Sequence, residues 1–222
     1  ERSAACQVAK LVCVLKVASM SNITLKYFDG GGRGEAIRIA LWHGGIQFTD
    51  ERFTYDQWKE IKPTIPGGAV PVLEVDGKTF TQSAALLRYA GRRSGLYPED
   101  LVEAMRCDEV LDIVSEVLTK TPQDADVEVK KAKRAEYAAG PMKGKMGLLG
   151  SYAEQSGPDG FIAGKSFTIA DLVLESTVGM FESGNFDHVA SDYCEQWPAL
   201  VALAKRIRAH DIVAKWAASK AK

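Results

Sequence analysis

Residues Lys26–Arg38, "KYFDGGGRGEAIR", decide how this chain is read. The alternating run "ITLKYF", beginning at Ile23, ends near a tyrosine, and three consecutive glycines lead into a helical pattern that opens with Arg33 and Glu35. Alternating β-formers mark a strand, and "GEAIRIALWHGG" carries apolar residues at helical spacing up to a stop at Gly44-Gly45. A glycine-rich strand-to-helix turn first suggests a phosphate cradle. A dinucleotide fingerprint starting at Gly30 needs glycine or alanine where Glu35 stands, and further parallel βαβ units are missing. "GFIAGKS" fails as a phosphate loop because Asp159 takes the place of its first glycine. What remains is a tyrosine hydroxyl, Tyr27, an arginine, Arg33, and a helix N-terminus, a set suited to stabilising a small anion.

Outward from this turn the pattern continues as a short strand in "QFTDERF", an amphipathic stretch "YDQWKEIKP" and a loop "KPTIPGGAVP". "VPVLEVDGKTFTQ" is a hairpin turned by Asp76-Gly77, and "SAALLRYAGRRSG" is a helix ending at Gly95. The order is β-α-β-α-β-β-α, a small mixed sheet with helices. After "LYPED" only helical periodicity remains, in four stretches that run to the C-terminus. Two domains are expected, an α/β domain over residues 20–98 and an all-helical domain over residues 101–222. Within the second, Thr168 and Asp171 stand as a capping box, a structural signal with no chemistry assigned to it.

The loop and hairpin supply a second binding feature. Pro71 directly before a strand removes a ladder donor, and a cis bond would leave the backbone of Val70 facing outward to pair with an extended peptide. Gln82 and Ser83 end a strand and open a helix, offering amide, hydroxyl and helix N-terminal donors to a carboxylate. Together these residues describe a site for a short peptide with a carboxylate at one end and an acidic group near Tyr27.

The bulk composition excludes several classes. With a net charge of -1 there is no electrostatic reason to expect nucleic acid or an anionic membrane as partner. Cys6, Cys13, Cys107 and Cys194 form no C-x-x-C pair, which argues against zinc or a dithiol centre and suits a reducing, cytoplasmic compartment. His43, His188 and His210 show no metal-ligand spacing. Residues 1–19 are expected to be an extension outside the fold, with Met20 as the natural start; its unbroken apolar run "LVCVL" is too short for a secretory core or a membrane span.

The chain from about Ile23 to Lys222 resembles a cytosolic glutathione transferase of the tyrosine type, sigma-like and near the alpha and mu classes. The residues carrying the resemblance are Tyr27-Phe28, "GRGE" at Gly32–Glu35, "WKEIKP" at Trp58–Pro63, "VPVLEVDG" at Val70–Gly77 and Gln82-Ser83. It implies a thioredoxin-like N-terminal domain followed by an all-helical C-terminal domain, a homodimer, and no metal or resident cofactor, with glutathione as co-substrate. Tyr27 would donate a hydrogen bond to the glutathione sulfur and Arg33 would add positive charge beside it. Lowering a thiol from about 8.5 by about two units, roughly 2.7 kcal/mol, makes most of it thiolate at neutral pH. Trp58 and Lys62 match positions at the glycine end of glutathione, with Ala69 beside them. Val70, before Pro71, would pair with the cysteinyl backbone, Gln82 and Ser83 would hold the γ-glutamyl carboxylate, and Glu116 would reach toward the partner's glutathione. Phe28, the end of "DIVSEVLTKTP" and the C-terminal "HDIVAKWAAS" are candidates to line the pocket for a hydrophobic electrophile, with core packing the favoured reading of the C-terminal stripe.

The departures from the family pattern bear on function. Ala69 replaces a long polar side chain, Gly67 an interface aromatic, Ser115 an acid of a magnesium site and Gln123 an indole of prostaglandin D synthases. These changes lower the weight of a prostaglandin-type isomerase as an alternative to conjugation and detoxification. A non-catalytic glutathione-binding or structural protein on the same fold is the other alternative. A thiol redox enzyme would need a cysteine near Tyr27, and none lies between Cys13 and Cys107.

Overall fold

The computed structural model describes residues 21–220; the extension expected over residues 1–19 lies outside them. Strand β1 (Ile23–Phe28) alternates, sending Ile23 and Leu25 into the core. A helix α1 (Gly32–His43) crosses from it to β2 (Thr49–Phe53), which pairs parallel to β1 with Tyr27 opposite Arg52. After α2 (Tyr55–Ile61) and two 3-10 turns, β3 (Val72–Val75) pairs antiparallel to β1 and β4 (Lys78–Phe80) to β3. The sheet order is therefore β2-β1-β3-β4, the mixed sheet expected. The Asp76-Gly77 turn has positive φ at both residues (50° and 78°), which the Asp-Gly pair accommodates. Helix α3 (Ser83–Ser94) closes the unit on a left-handed Gly95.

One side chain holds the decisive turn. Arg38 of α1 is wholly buried and donates Nε to both oxygens of Asp50 at 3.0 Å. Its Nη2 reaches the Phe28 carbonyl at 3.1 Å and its Nη1 the Gly30 carbonyl at 2.6 Å. The guanidinium thus ties the end of β1, the glycine loop and β2 to one helix, and Asp50 takes Arg52 as a second partner at 2.7 Å.

The second half is α-helical: α4 (Leu101–Thr119), α5 (Val127–Ala139), α6 (Pro141–Ser156), α7 (Ile169–Glu182), α8 (Pro198–Ala209) and α9 (Asp211–Lys220). Two of the periodic stretches divide in the structure. Gly140 ends α5 and Pro141 opens α6, since proline tolerates the first turn but not a helix interior. His210 adopts an extended conformation between α8 and α9. Helix α7 is the central element, and its start is built as the capping box foresees. Thr168 Oγ1 accepts from the amide of Ala170 at 3.2 Å, and Asp171 accepts from the Thr168 amide at 2.8 Å and, beyond the box, from the Ile162 amide at 3.0 Å. Burial pushes the Asp171 carboxyl up to about 6, against the hydrogen bonds that favour its charge.

A single apolar cluster runs through both halves, from Leu25 and Ile37 to Val114, Ile169 and Leu203. The halves meet closely where Gly91 of α3 faces α7, since a Cβ on Gly91 would lie 2.7 Å from Ile169 Cγ2. Helix α9 returns to α1: Trp216 Nε1 donates to Glu35 Oε1 at 2.7 Å, and Lys220 pairs with the same oxygen.

Replacing Arg38 with Met should lower the free energy of unfolding by about 3 kcal/mol, because Asp50 and two carbonyls lose their buried donor. Urea unfolding measures this, and Arg38→Lys should recover little of the loss, since an ammonium cannot serve three acceptors as a planar fork does. A midpoint unchanged in Arg38→Met would show that the turn is held by something else.

Candidate active site

Tyr27 and the N-terminus of α1 form the first part of the site. The Tyr27 hydroxyl oxygen accepts a hydrogen bond from the Arg33 amide at 3.1 Å, which leaves the phenolic proton to be donated elsewhere. Burial raises the Tyr27 pKa above its ordinary value, opposed by the Arg33 amide and the Arg33 charge. The phenol therefore stays protonated at neutral pH and acts as a donor. Two glycines permit this close approach. A Cβ on Gly32, whose φ is +54°, would lie 2.8 Å from the Tyr27 hydroxyl, and one on Gly34 would lie 2.5 Å from the ring. Of the three successive glycines, Gly32 is thus required by geometry, while space around Gly30 is open.

The second part is a cavity of about 120 Å³ that gathers Arg33, Ala69, Val70, Pro71, Gln82 and Ser83. The Val70-Pro71 bond is cis, and β3 begins only at Val72, leaving Val70 outside the ladder. Gln82 caps α3 with φ of 72°, an unusual region for a residue with a side chain, and no side chain caps that helix. The first amides of α3 therefore point into the cavity as unclaimed donors. Arg33, half-buried, also lines the cavity, its pKa lowered by desolvation against the opposing influence of Tyr27.

Tyr27 itself opens on an adjoining cleft of about 570 Å³, bounded by Gly31, Gly32 and the end of α7. A third, apolar space of about 30 Å³ lies between the halves, lined by Leu111, Val114, Ser115 and Leu118 among others. It shares Arg33 and Ser83 with the cavity and Gly32, Ser176 and Met180 with the cleft, so the three are contiguous.

Three of the residues expected at the site stand apart from these linings. Trp58 stacks on Phe53 with ring centroids 5.7 Å apart and meets Phe28 edge-on. Lys62 lies along Gly68, its Cε 3.4 Å from where a Cβ would be, at the rim of the cavity. Glu116 is exposed to solvent and bound within its own chain to Lys120 and Lys145, each at 2.8 Å, and these partners lower its pKa to about 2. One candidate for the pocket wall is corrected, and for another the favoured packing reading holds. Phe28 does not line the cleft, because Tyr55 stacks on its ring at 4.4 Å and Phe53 and Trp58 close its sides. "HDIVAKWAAS" does not line it either: Val213 and Trp216 are buried and α9 packs on α1.

Sequence reasoning passed over Arg38 and Glu35, which fix α1, and Tyr55, which reaches the cleft. A signal for Arg38 existed, a lone charge inside the apolar stripe "AIRIAL". His43 lies near enough to His210 to oppose its charge, and among the described residues no cluster of three or more His, Cys, Asp or Glu side chains is disposed to hold a metal.

With this geometry in view, the comparisons with known proteins agree. Residues 23–92 match the family model of the glutathione S-transferase N-terminal domain and residues 112–220 that of the C-terminal domain. The chain is 31% identical over 209 residues to a glutathione S-transferase 1 of Ascaris suum, covering 91% of this chain and 98% of the other. It is 32% identical over 203 residues to a hematopoietic prostaglandin D synthase of Gallus gallus, covering 89% and 96%. A solved prostaglandin synthase D of Nilaparvata lugens superposes with a TM-score of 0.75 at 27% identity, covering 88% of this chain and 96% of that one. The chain belongs to the glutathione S-transferase family.

Gly32→Ala should cost about 1–2 kcal/mol in urea unfolding, from left-handed strain and from pushing the Tyr27 hydroxyl off the Arg33 amide. Gly30→Ala, with open space and no positive φ, should stay within about 0.5 kcal/mol of the parent. Equal midpoints for the two variants would refute the requirement for a glycine at 32.

Proposed function

We propose that this chain transfers glutathione to electrophilic small molecules, with the thiolate as nucleophile. The observation that carries the reading is the Tyr27 hydroxyl, which already accepts from the Arg33 amide and so presents its proton toward the cleft. Glutathione would lie in the cavity, its cysteinyl backbone along Val70 before cis-Pro71 and its γ-glutamyl carboxylate at Gln82, Ser83 and the α3 N-terminus. The glycine end would lie toward Ala69 and Lys62, with Trp58 behind. Its sulfur would then meet the Tyr27 proton and the Arg33 charge, both of which favour thiolate over thiol. The sulfur attacks the electrophilic carbon, a C–S bond forms and the leaving group departs with its electron pair, with the thiol proton already lost to water. Because Tyr27 stays a phenol, the pH profile of the reaction reports the thiol.

The family supports a homodimer, in which Glu116 would face the partner's glutathione, and a cytoplasmic, sigma-like enzyme of detoxification; its partners are glutathione and a small electrophile. No helix among the described residues is long and apolar enough to cross a membrane. The likeness to a prostaglandin D synthase keeps a glutathione-dependent isomerase as the second reading. Gln123 weighs against it, since an amide whose Oε1 accepts from Arg134 Nη2 at 3.0 Å stands where those synthases carry an indole.

Conjugation of a chlorodinitrobenzene tests the proposal. Tyr27→Phe should lose about tenfold to a hundredfold in kcat/KM at neutral pH, the scale of about one to two lost transition-state hydrogen bonds. Part of that loss should return in alkali, where the thiol ionises unaided. Equal activity at all pH values would remove Tyr27 from the site. Glutathione binding without turnover of a broad electrophile panel would favour a non-catalytic protein on the same fold.

A further inference from the structure

The wall facing Tyr27 across the open cleft is polar. The apolar space between the halves holds about 30 Å³, room for roughly one water, so the second substrate must use the cleft of about 570 Å³. That cleft is bounded by Tyr55, Glu175, Ser176, Ser183 and Asn185. Tyr55 is 76% exposed, with its ring stacked on Phe28 and no hydrogen-bond partner for its hydroxyl among the described residues. Asn185 spends one amide proton on Ser183 Oγ at 2.9 Å, which orients its side chain. Its carbonyl oxygen is left as an acceptor.

The electrostatics of this wall are one-sided. Glu175 and Glu182 both bind Arg208, at 2.8 and 2.7 Å, so two carboxylates share one guanidinium. Arg208 Nη2 and Glu175 Oε1 both lie 3.6 Å from where a Cβ on Gly179 would stand, an ordinary contact distance. The wall is also the C-terminal end of α7, where the helix dipole presents negative charge, the Gly179, Met180 and Phe181 carbonyls being taken by Ser183 and Gly184. Arg208 is the cation within this wall and the α1 N-terminus borders the cleft at Gly31 and Gly32, while Arg33 and the α3 N-terminus line the cavity.

We propose that this cleft selects neutral electrophiles that carry a hydrogen-bond donor on the side away from the reacting carbon, and discriminates against carboxylates. The inference rests on the conjugation reading and names its substrate class. A donor such as a primary amide or hydroxyl replaces lost water at Asn185 Oδ1 and the serine oxygens. A carboxylate instead sheds its water to face acceptors and a net negative wall.

The test uses ortho-nitro chlorobenzenes bearing a para carboxamide, a para methyl ester or a para carboxylate. In each, the glutathione thiolate forms the C–S bond and chloride leaves with the C–Cl electron pair. Each kcat/KM is divided by the rate of the same compound with free glutathione, which removes intrinsic reactivity. The parent should favour the amide over the ester by about fivefold or more, as one neutral hydrogen bond allows. The carboxylate should fall about tenfold below the ester. In Ser183→Ala/Asn185→Leu, both exposed positions, the amide advantage should shrink to about twofold or less, and Asn185→Lys should raise the carboxylate relative to the ester. A carboxylate as good as the ester, or an amide advantage that survives the double change, overturns the inference while conjugation stands. A parent that binds glutathione yet turns over none of the three compounds or chlorodinitrobenzene overturns conjugation and this inference together.

Discussion

The buried guanidinium of Arg38 is the constraint on which the site depends. It holds Asp50 on β2, the Phe28 carbonyl at the end of β1 and the Gly30 carbonyl in the loop. A charge taken wholly out of water persists only with partners of this kind, so the turn has little freedom once α1 is packed. The same guanidinium lies 5.7 Å from the centre of the Tyr27 ring. It thereby fixes the distance between that ring and the first turn of α1, where the Arg33 amide meets the phenol. The chemistry of the site is set by atoms that never touch a substrate.

The second half of the chain acts on the same helix. Ile169 at the start of α7 donates its amide to the Leu96 carbonyl at 2.9 Å, and Ser176 lies against Gly32. Glu35, two residues after Arg33, takes Trp216 and Lys220 from α9. Helix α1 is thus gripped from three sides: by the sheet through Arg38, by α7 through packing and by α9 through Glu35. The helical half provides the far wall of the cleft and also braces the helix that carries the charge.

The β-α-β-α-β-β-α order, the Asp76-Gly77 hairpin, the Thr168–Asp171 capping box and the cis Val70-Pro71 bond were all legible, because each is a local pattern with few alternative meanings. Arg33, Ala69, Val70, Pro71, Gln82 and Ser83 were also legible as one group, and the fold gathers them in one cavity. Tyr27 was legible through its family register. The breaks at Gly140-Pro141 and His210 were harder to place, since helical periodicity survives a break that keeps phase.

Other features depend on contacts between residues far apart in sequence. Phe28 reads as a pocket residue until Tyr55 is found stacked on it, and the C-terminal apolar stripe, favoured as core, is given its partner only when α9 turns onto α1. The polarity of the cleft combines residue 55 of one half with residues 175–185 of the other, a pairing that no local window contains. The sequence by itself determined the elements, the family and the donors gathered around the cavity, because those depend on short-range spacing and turn chemistry. Only the tertiary structure decided which side chains are withdrawn into packing and which face the cleft, because burial belongs to the assembled fold and not to any one segment.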